Sequence, residues 1–153
     1  DLRLVGAGPL RDDLEGLAGD LGLADRVTFL GTLDEDAVAA ELAAADLAVL
    51  PSIVAPNGRQ EGLPNVLLEA LATGTPAVGT ALSGCPELLR EEATCLLAMP
   101  GDPYSLAAAL EHVLRDPDAA GRRAAAGRAL VEREFALERS GRLMAELLTE
   151  TAA

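Results

Sequence analysis

The sequence predicts an α/β domain, a doubly wound parallel sheet with helices on both faces, followed by a purely helical C-terminal part. Short apolar runs alternate along the chain with stretches in which apolar residues recur at helical spacing. The short runs are apolar throughout rather than at every second residue, which is typical of strands covered on both faces. Beyond residue 100 only helical patterns remain.

Five apolar runs have the length and the flanking turn residues expected of strands. These predicted strands span residues 2–5, 27–30, 46–50, 76–79 and 94–98. Because parallel neighbours need a crossover connection, the segments between them should be helices.

The connecting helices are predicted from apolar spacing and from capping residues. The first would turn one apolar face to the core, formed by Leu10, Leu14, Leu17, Ala18 and Leu21. Asp34 is a typical N-cap for the second helix. Pro64 suits the first position of a third helix that runs to about Thr73. A short helix is expected at residues 86–90, and the C-terminal helices at residues 104–114, 119–134 and 137–148.

Composition excludes several classes of protein. The 153 residues carry 25 acids against 12 bases, a formal net charge of −13, and only 2% are aromatic. A nucleic-acid partner is therefore not expected, because it would require a basic face and stacking rings. The sequence also shows no pattern of a transmembrane segment or of a signal peptide. We therefore expect a cytoplasmic protein, and the longer protein to which this chain would belong could be peripheral to a membrane. Cys85 and Cys95 are too few for a disulfide framework and lack metal-ligand spacing.

Gly6 and Gly8 stand where a dinucleotide-binding fingerprint would place its first glycines, after a strand and before a helix. The position of the third glycine is occupied by Arg11, so an NAD site is the weaker interpretation. The alternative is a tight turn beside a ligand cleft.

A second segment, residues 51–87, contains more residues that could bind a ligand. Glu61 follows the carboxyl end of a strand, where open α/β sheets bind ligands, and Gly62 allows the backbone to approach a ligand closely. The helix starting near Pro64 would present free N–H groups and a positive dipole end to a phosphate. Glu69, further along that helix, can accept hydrogen bonds from two adjacent hydroxyls such as a ribose diol.

Each acidic residue of this segment also has a simpler interpretation. Glu69 can point to solvent on the polar stripe of its helix, and Glu61 can be an ordinary loop charge. Glu87 can cap or flank the short helix at residues 86–90. His112, the only histidine, falls on a distal helix, where a surface position is the simpler interpretation.

Together these residues resemble the C-terminal domain of the retaining, GT-B-fold glycosyltransferases of family 4, also called glycosyltransferase group 1. The resemblance covers nearly the whole chain in the expected order. Its matching elements are residues 5–9, 27–31, 45–52, 72–78 and 100–102, the pair Glu61 and Glu69, and the pair Gly84 and Glu87. The Glu-x7-Glu pair with its surroundings is the specific part.

The resemblance implies a role for each matching position in a donor site. Glu61 would contact hydroxyls of the donor sugar and Glu69 would bind the ribose of the nucleotide. The backbone amides of Leu63 and Asn65, beside Gly62, would face the diphosphate.

Two further pairs of residues complete the site that the resemblance implies. Gly6 and Gly8 would line the cleft, while Thr32 and Leu33 would contact the base. The family requires no metal or other cofactor for this chemistry, because positive groups and helix amides stabilise the leaving phosphate.

The sequence departs from the family pattern in two ways. Pro64 replaces a glycine that many members have, and proline has no N–H to donate. The basic pair for the diphosphate and the acceptor-binding domain would lie upstream of Asp1. Arg59, in the loop before Glu61, is a candidate local cation, and a solvated loop arginine is the simpler interpretation. We therefore expect residues 1–153 to be one donor-binding domain, an N-terminally truncated part of a two-domain hexosyltransferase, which alone transfers no sugar.

Two other classes remain open at this point. A nucleotide-sugar 2-epimerase shares the two-domain architecture, but it needs further acids and a histidine with no clear counterpart here. A noncatalytic module that binds a nucleotide or a protein partner is the other alternative.

Overall fold

A computed structural model of the chain describes residues 1–60, 62, 64–82 and 93–150. Its strands are β1 (Leu2–Val5), β2 (Val27–Gly31), β3 (Ala48–Leu50), β4 (Ala77–Thr80) and β5 (Leu96–Ala98). Its helices are α1 (Arg11–Asp20), α2 (Glu35–Ala44), α3 (Asn65–Thr73), α4 (Pro103–Arg115), α5 (Pro117–Glu134) and α6 (Leu137–Glu150). Every described strand pairing is parallel, and α1, α2 and α3 connect β1 to β4, which confirms the predicted α/β class.

The chain divides into two compact units, Asp1–Glu41 and Leu42–Ala153. The described strands accordingly pair as two ladders, β1-β2 in the first unit and β3-β4-β5 in the second.

In the first unit, the β1–β2 ladder ends in a glycine turn. Leu2 lies opposite Val27, and the register shifts between Leu4 and Val5. The Gly6 amide then donates to the Gly31 carbonyl at 2.7 Å. Gly6 has a φ of +125°, which side-chain-bearing residues rarely adopt, so the chain turns here towards α1 at little steric cost.

The apolar face of α1 differs from its prediction. Ala18 is buried, but Leu10, Leu14, Leu17 and Leu21 are 43–62% exposed. The helical spacing is correct, because α1 spans Arg11–Asp20. A two-stranded sheet of four and five residues is too small to cover such a face, so the leucines remain accessible.

The second unit is built around its three-stranded sheet. All four residues of β4 are buried, because β4 lies between β3 and β5. Val78 of β4 forms a core with Val113 of α4 and Ala120 of α5. Leu67 and Leu71 of α3 are completely buried in the same unit.

Element boundaries agree with the predictions to within a few residues, with one informative difference. Asp34 is confirmed as the cap of α2, since its Oδ1 accepts from the Ala37 amide at 2.9 Å. Pro64 is the N-cap of α3 rather than its first helical residue. Its ψ of 92° is extended, and its carbonyl accepts from the amides of Leu67 and Leu68.

Two other expectations concern the length of segments. β3 begins at Ala48 and β5 at Leu96, each two residues later than predicted. The short helix expected at residues 86–90 lies outside the described residues. In the part of the chain that is described, no helix is long and apolar enough to cross a membrane.

Candidate functional site

The expected donor-binding segment lies between β3 and the middle of α3. Glu61 and Leu63 lie outside the described residues, as do Cys85 and Glu87. Gly62 is exposed. The site is therefore built from the loop after β3 and from α3.

Helix α3 has one buried and one exposed face. Leu67, Ala70 and Leu71 are fully buried at spacings of three and four residues. Asn65 and Glu69, four residues apart, lie on the opposite, exposed face. Four residues correspond to a rise of about 6 Å along a helix, so the two positions are one turn apart.

The amino end of α3 is open. Pro64 caps it without a side-chain hydrogen bond. Among the described residues, none accepts a hydrogen bond from the amides of Asn65 or Val66. These two N–H groups and the positive end of the helix dipole therefore remain available to an anion.

The Glu69 carboxylate is accessible one turn further along. The side chain is exposed, and no described group forms a hydrogen bond or an ion pair with it. Burial therefore does not penalise its charge, and it is free to accept hydrogen bonds from hydroxyl groups. Along α3, two amides without a described acceptor thus come first, and a carboxylate without a described partner follows.

The loop that leads from β3 to α3 contains a closed turn. The Ala55 amide donates to the Arg59 carbonyl and the Gly58 amide donates to the Ala55 carbonyl, both at 2.8 Å. The Arg59 amide donates to Asn57 Oδ1 at 3.1 Å. The Arg59 side chain is exposed, and no described acidic group pairs with it, so this cation is available at the loop.

The base of this loop is joined to the sheet. The Thr80 hydroxyl, at the carboxyl end of β4, donates to the Ser52 carbonyl at 2.7 Å. Thr80 is only 2% exposed. The bond therefore joins the carboxyl end of β4 to the chain that has just left β3.

A cleft of about 250 Å³ that the sequence interpretation missed lies at the same carboxyl ends of β3, β4 and β5. It is lined by Pro51, Ile53, Thr80, Met99, Gly101, Asp102, Pro103 and Leu106. Most of these residues closely follow a strand. Because crevices in open α/β sheets lie beyond the carboxyl ends of the strands, that sequence position could have predicted the cleft.

The remaining predicted residues belong to the first unit. Gly6, Gly8 and Thr32 are exposed, and Leu33 is half-buried. Gly6 and Gly8 form the turn between β1 and α1, where the Arg11 amide donates to the Gly8 carbonyl at 3.3 Å. Their exposure leaves each of these residues accessible to a ligand.

Two further features concern catalysis and metals. Arg123 Nη2 lies 3.2 Å from His112 Nε2, so the only histidine contacts a neighbouring arginine on the helical part of the unit. Within the described ranges, no three His, Cys, Asp or Glu residues cluster so as to hold a metal ion.

Comparison with known proteins assigns the chain to a family. Residues 1–116 match the family described as "Glycosyl transferases group 1". The amylovoran biosynthesis glycosyltransferase AmsK of Erwinia amylovora is 35% identical over 149 residues, which are 97% of this chain and 37% of that protein.

Solved structures agree with the sequence comparison. Sucrose-phosphate synthase of Thermosynechococcus elongatus superimposes with a TM-score of 0.85 at 34% identity, over 98% of this chain and 38% of that one. Anabaena HepE in complex with UDP-glucose gives a TM-score of 0.85 at 27% identity, over 97% of this chain and 40% of that one. The fold is thus the Rossmann-like α/β fold found in GT-B glycosyltransferases.

The chain spans about 37–40% of the length of these three proteins. The family match nevertheless extends over most of its residues, and it includes β1 to β5 together with the loop and helix that form the candidate site. The chain belongs to the glycosyl transferases group 1 family.

Proposed function

We propose that the chain is the donor-nucleotide-binding domain of a retaining glycosyltransferase. The enzyme would transfer a sugar from a nucleoside diphosphate to an acceptor held by a second domain. The observation that carries this proposal is the exposed face of α3. In a chain of this family, that face places the Glu69 carboxylate, which has no partner in the described part of the chain, one turn beyond an open helix amino end.

The order of groups on α3 matches the order of groups in the donor. A nucleoside diphosphate sugar presents a ribose diol and then two phosphates before the sugar. Glu69 is the acceptor for the diol, and the amides of Asn65 and Val66 bind the diphosphate. Glu61, at the loop end of the same segment, contacts the sugar hydroxyls. HepE, a similar protein, was solved with UDP-glucose, which supports a donor of this class.

The residues of the site act mainly on the leaving group. As the bond to the sugar breaks, negative charge accumulates on the diphosphate, and preorganised amides at the end of α3 stabilise that charge. Pro64 contributes no donor, so Asn65 and Val66 supply the helix amides, and Arg59 supplies a cation from the loop. The site needs no metal for this step.

The relatives also support a proposal about the biological role of the chain. The name of AmsK connects it with amylovoran biosynthesis, which supports a role for this chain in polysaccharide biosynthesis. We place the reaction in the cytoplasm, at or away from a membrane surface, and expect transfer to require the acceptor-binding domain.

Thermal shift measurements with UDP, GDP, ADP and NAD test the proposal. At least one nucleoside diphosphate should raise the melting temperature of the chain, and NAD should not. The effect should be lost in Glu69→Gln and retained in Glu146→Gln, which changes a helical carboxylate of α6 far along the sequence from the site. Stabilisation by NAD alone would favour a dehydrogenase. No stabilisation by any diphosphate would favour a module that binds no nucleotide.

A further inference from the structure

The hydrogen bond between Thr80 and Ser52 joins the sheet to the donor loop, residues 52–60. Backbone pairing between β3 and β4 ends with Leu50 opposite Gly79. Beyond that point the Thr80 hydroxyl continues the connection by donating to the Ser52 carbonyl at 2.7 Å. Because Thr80 is 2% exposed, water competes poorly for this bond.

Part of the donor loop is held together by its own hydrogen bonds. Ala55, Asn57, Gly58 and Arg59 are hydrogen-bonded to one another in the closed turn described above. Only two residues separate this turn from the Ser52 carbonyl to which Thr80 donates. The far end of the loop leads through Gly62 into the amino end of α3.

Backbone geometry holds Thr80 in place. Thr80 pairs with Ala98 of β5, and the Ala81 amide donates to the Ala98 carbonyl at 2.9 Å. The Leu82 amide also donates to the Thr80 carbonyl at 2.7 Å. The hydroxyl therefore projects from a rigid strand end, which makes it an effective anchor for a loop.

We propose that Thr80 is a positioning residue of the donor site: its hydroxyl sets the path of the donor loop and thereby the placement of the α3 amino end against the diphosphate. Thr80 touches no donor atom in this scheme and acts through Ser52. The inference rests on the proposed function, since it assigns a residue to the same site.

The chain contains a matched control at the opposite end of β4. The Thr75 hydroxyl also donates to a backbone carbonyl, that of Leu42, at 2.7 Å, and Thr75 is 3% exposed. It precedes β4, whereas Thr80 ends it, so Thr75 lies at the edge of the sheet away from the donor loop. Loss of the Thr75 hydroxyl leaves the Leu42 carbonyl without that donor and also removes a contact with the Thr73 hydroxyl at 2.9 Å. Thr75→Val therefore removes at least as much hydrogen bonding as Thr80→Val.

The experiment compares Thr80→Val, Thr80→Ser and Thr75→Val by calorimetric titration with UDP, GDP and ADP. Valine keeps the branched shape and removes the hydroxyl, and serine keeps the hydroxyl. We expect Thr80→Val to raise the dissociation constant about three- to tenfold, as for loss of one neutral hydrogen bond. The dissociation constants of Thr80→Ser and Thr75→Val should stay within about twofold of wild type, although Thr75→Val should lower the melting temperature at least as much as Thr80→Val.

Hydrogen exchange of the unliganded chain gives a second measurement. Amides of residues 52–60 should exchange faster in Thr80→Val than in wild type, and they should exchange at the wild-type rate in Thr75→Val. Equal nucleotide affinity of wild type and Thr80→Val, or an equal loss in Thr75→Val, would overturn the positioning role and leave the proposed function intact. A wild-type chain that binds none of the three nucleotides would overturn the proposed function, and the inference with it.

Discussion

Gly127 of α5 lies directly against Leu71 of α3, so closely that a β-carbon at position 127 would lie 2.5 Å from Leu71 Cδ2. Both residues are buried. Leu71 belongs to the inner face of the helix whose outer face carries Glu69. The absence of a side chain at Gly127 therefore sets how closely α5 approaches the helix of the candidate site.

Gly127→Ala should lower the free energy of unfolding. Overpacking costs about 1–3 kcal/mol, and the higher helix propensity of alanine offsets about 1 kcal/mol. We expect a net loss of up to about 2 kcal/mol in urea unfolding. Gly121→Ala is the matched control, because Gly121 is exposed in the same helix and a β-carbon there would meet no described atom within 4 Å. It should stabilise the chain, and equal effects of the two variants would contradict the close contact.

Glu69→Ala should weaken nucleotide binding, whereas Glu61→Ala should chiefly reduce sugar transfer. The reason is their placement in the proposed site, one at the ribose and the other at the sugar. Loss of a charged hydrogen bond costs about 1.5–3 kcal/mol, or roughly ten- to hundredfold in affinity. Titration of both variants of the complete enzyme with free nucleoside diphosphate measures the difference. Equal affinity of wild type and Glu69→Ala would refute the ribose assignment.

Cys95 should react slowly with thiol reagents in the native chain. Cys95 is 1% exposed and immediately precedes β5, so reagents in solution have little access to its sulfur. Cys85 lies outside the described residues. Because it stands between Gly84 and Glu87, which match the family pattern, we predict it to be reactive and near the nucleotide. Mass spectrometry after brief labelling should find Cys85 modified first and protected by nucleotide. Faster modification of Cys95 would show that the β5 region opens readily.

The pKa of Glu41 should respond to Arg3. The Arg3 guanidinium donates two hydrogen bonds to this carboxylate, at 2.6 and 2.7 Å, and thereby lowers the pKa of Glu41. The stabilising contribution of the pair is therefore present above the pKa of an unfolded-chain glutamate and is lost as the pH falls through the lowered value. NMR titration should find the Glu41 pKa higher in Arg3→Met and unchanged in Arg11→Met, which instead removes the Arg11–Glu15 pair. An unchanged value in Arg3→Met would exclude the ion pair as the cause.

The 153-residue chain alone should bind a nucleoside diphosphate weakly and transfer no sugar. Glu69 and the α3 amino end supply part of the donor site, while acceptor positioning, which contributes several kcal/mol to catalysis, needs a second domain. We expect a dissociation constant in the high micromolar to millimolar range, about −4 to −6 kcal/mol. Calorimetry beside a transfer assay measures both. Nanomolar binding or measurable transfer by this chain would contradict the proposed division of roles.

Local patterns in the sequence were sufficient for the strands and α-helices and for the family. The alternation of apolar runs and helical spacing predicted every described strand and α-helix to within a few residues, although not the 3-10 helix Ala24–Arg26, and Asp34 was correctly identified as a cap. These features depend on neighbours within a few positions along the chain, so the sequence contains their causes directly. The family resemblance likewise rested on residues in fixed order, and the comparison confirmed it.

Only the tertiary structure decided which distant residues meet. Exposure of Leu17 and Leu21 depends on how much sheet is available to cover α1, and the pairing of strands into two ladders depends on long-range contacts. Thr80 and Ser52 are 28 positions apart, and Gly127 and Leu71 are further apart still. No periodicity or motif encodes such pairs, because each arises from the packing of whole elements. The sequence thus determined the elements and the family of this protein, while packing decided which residues hold the candidate site in place.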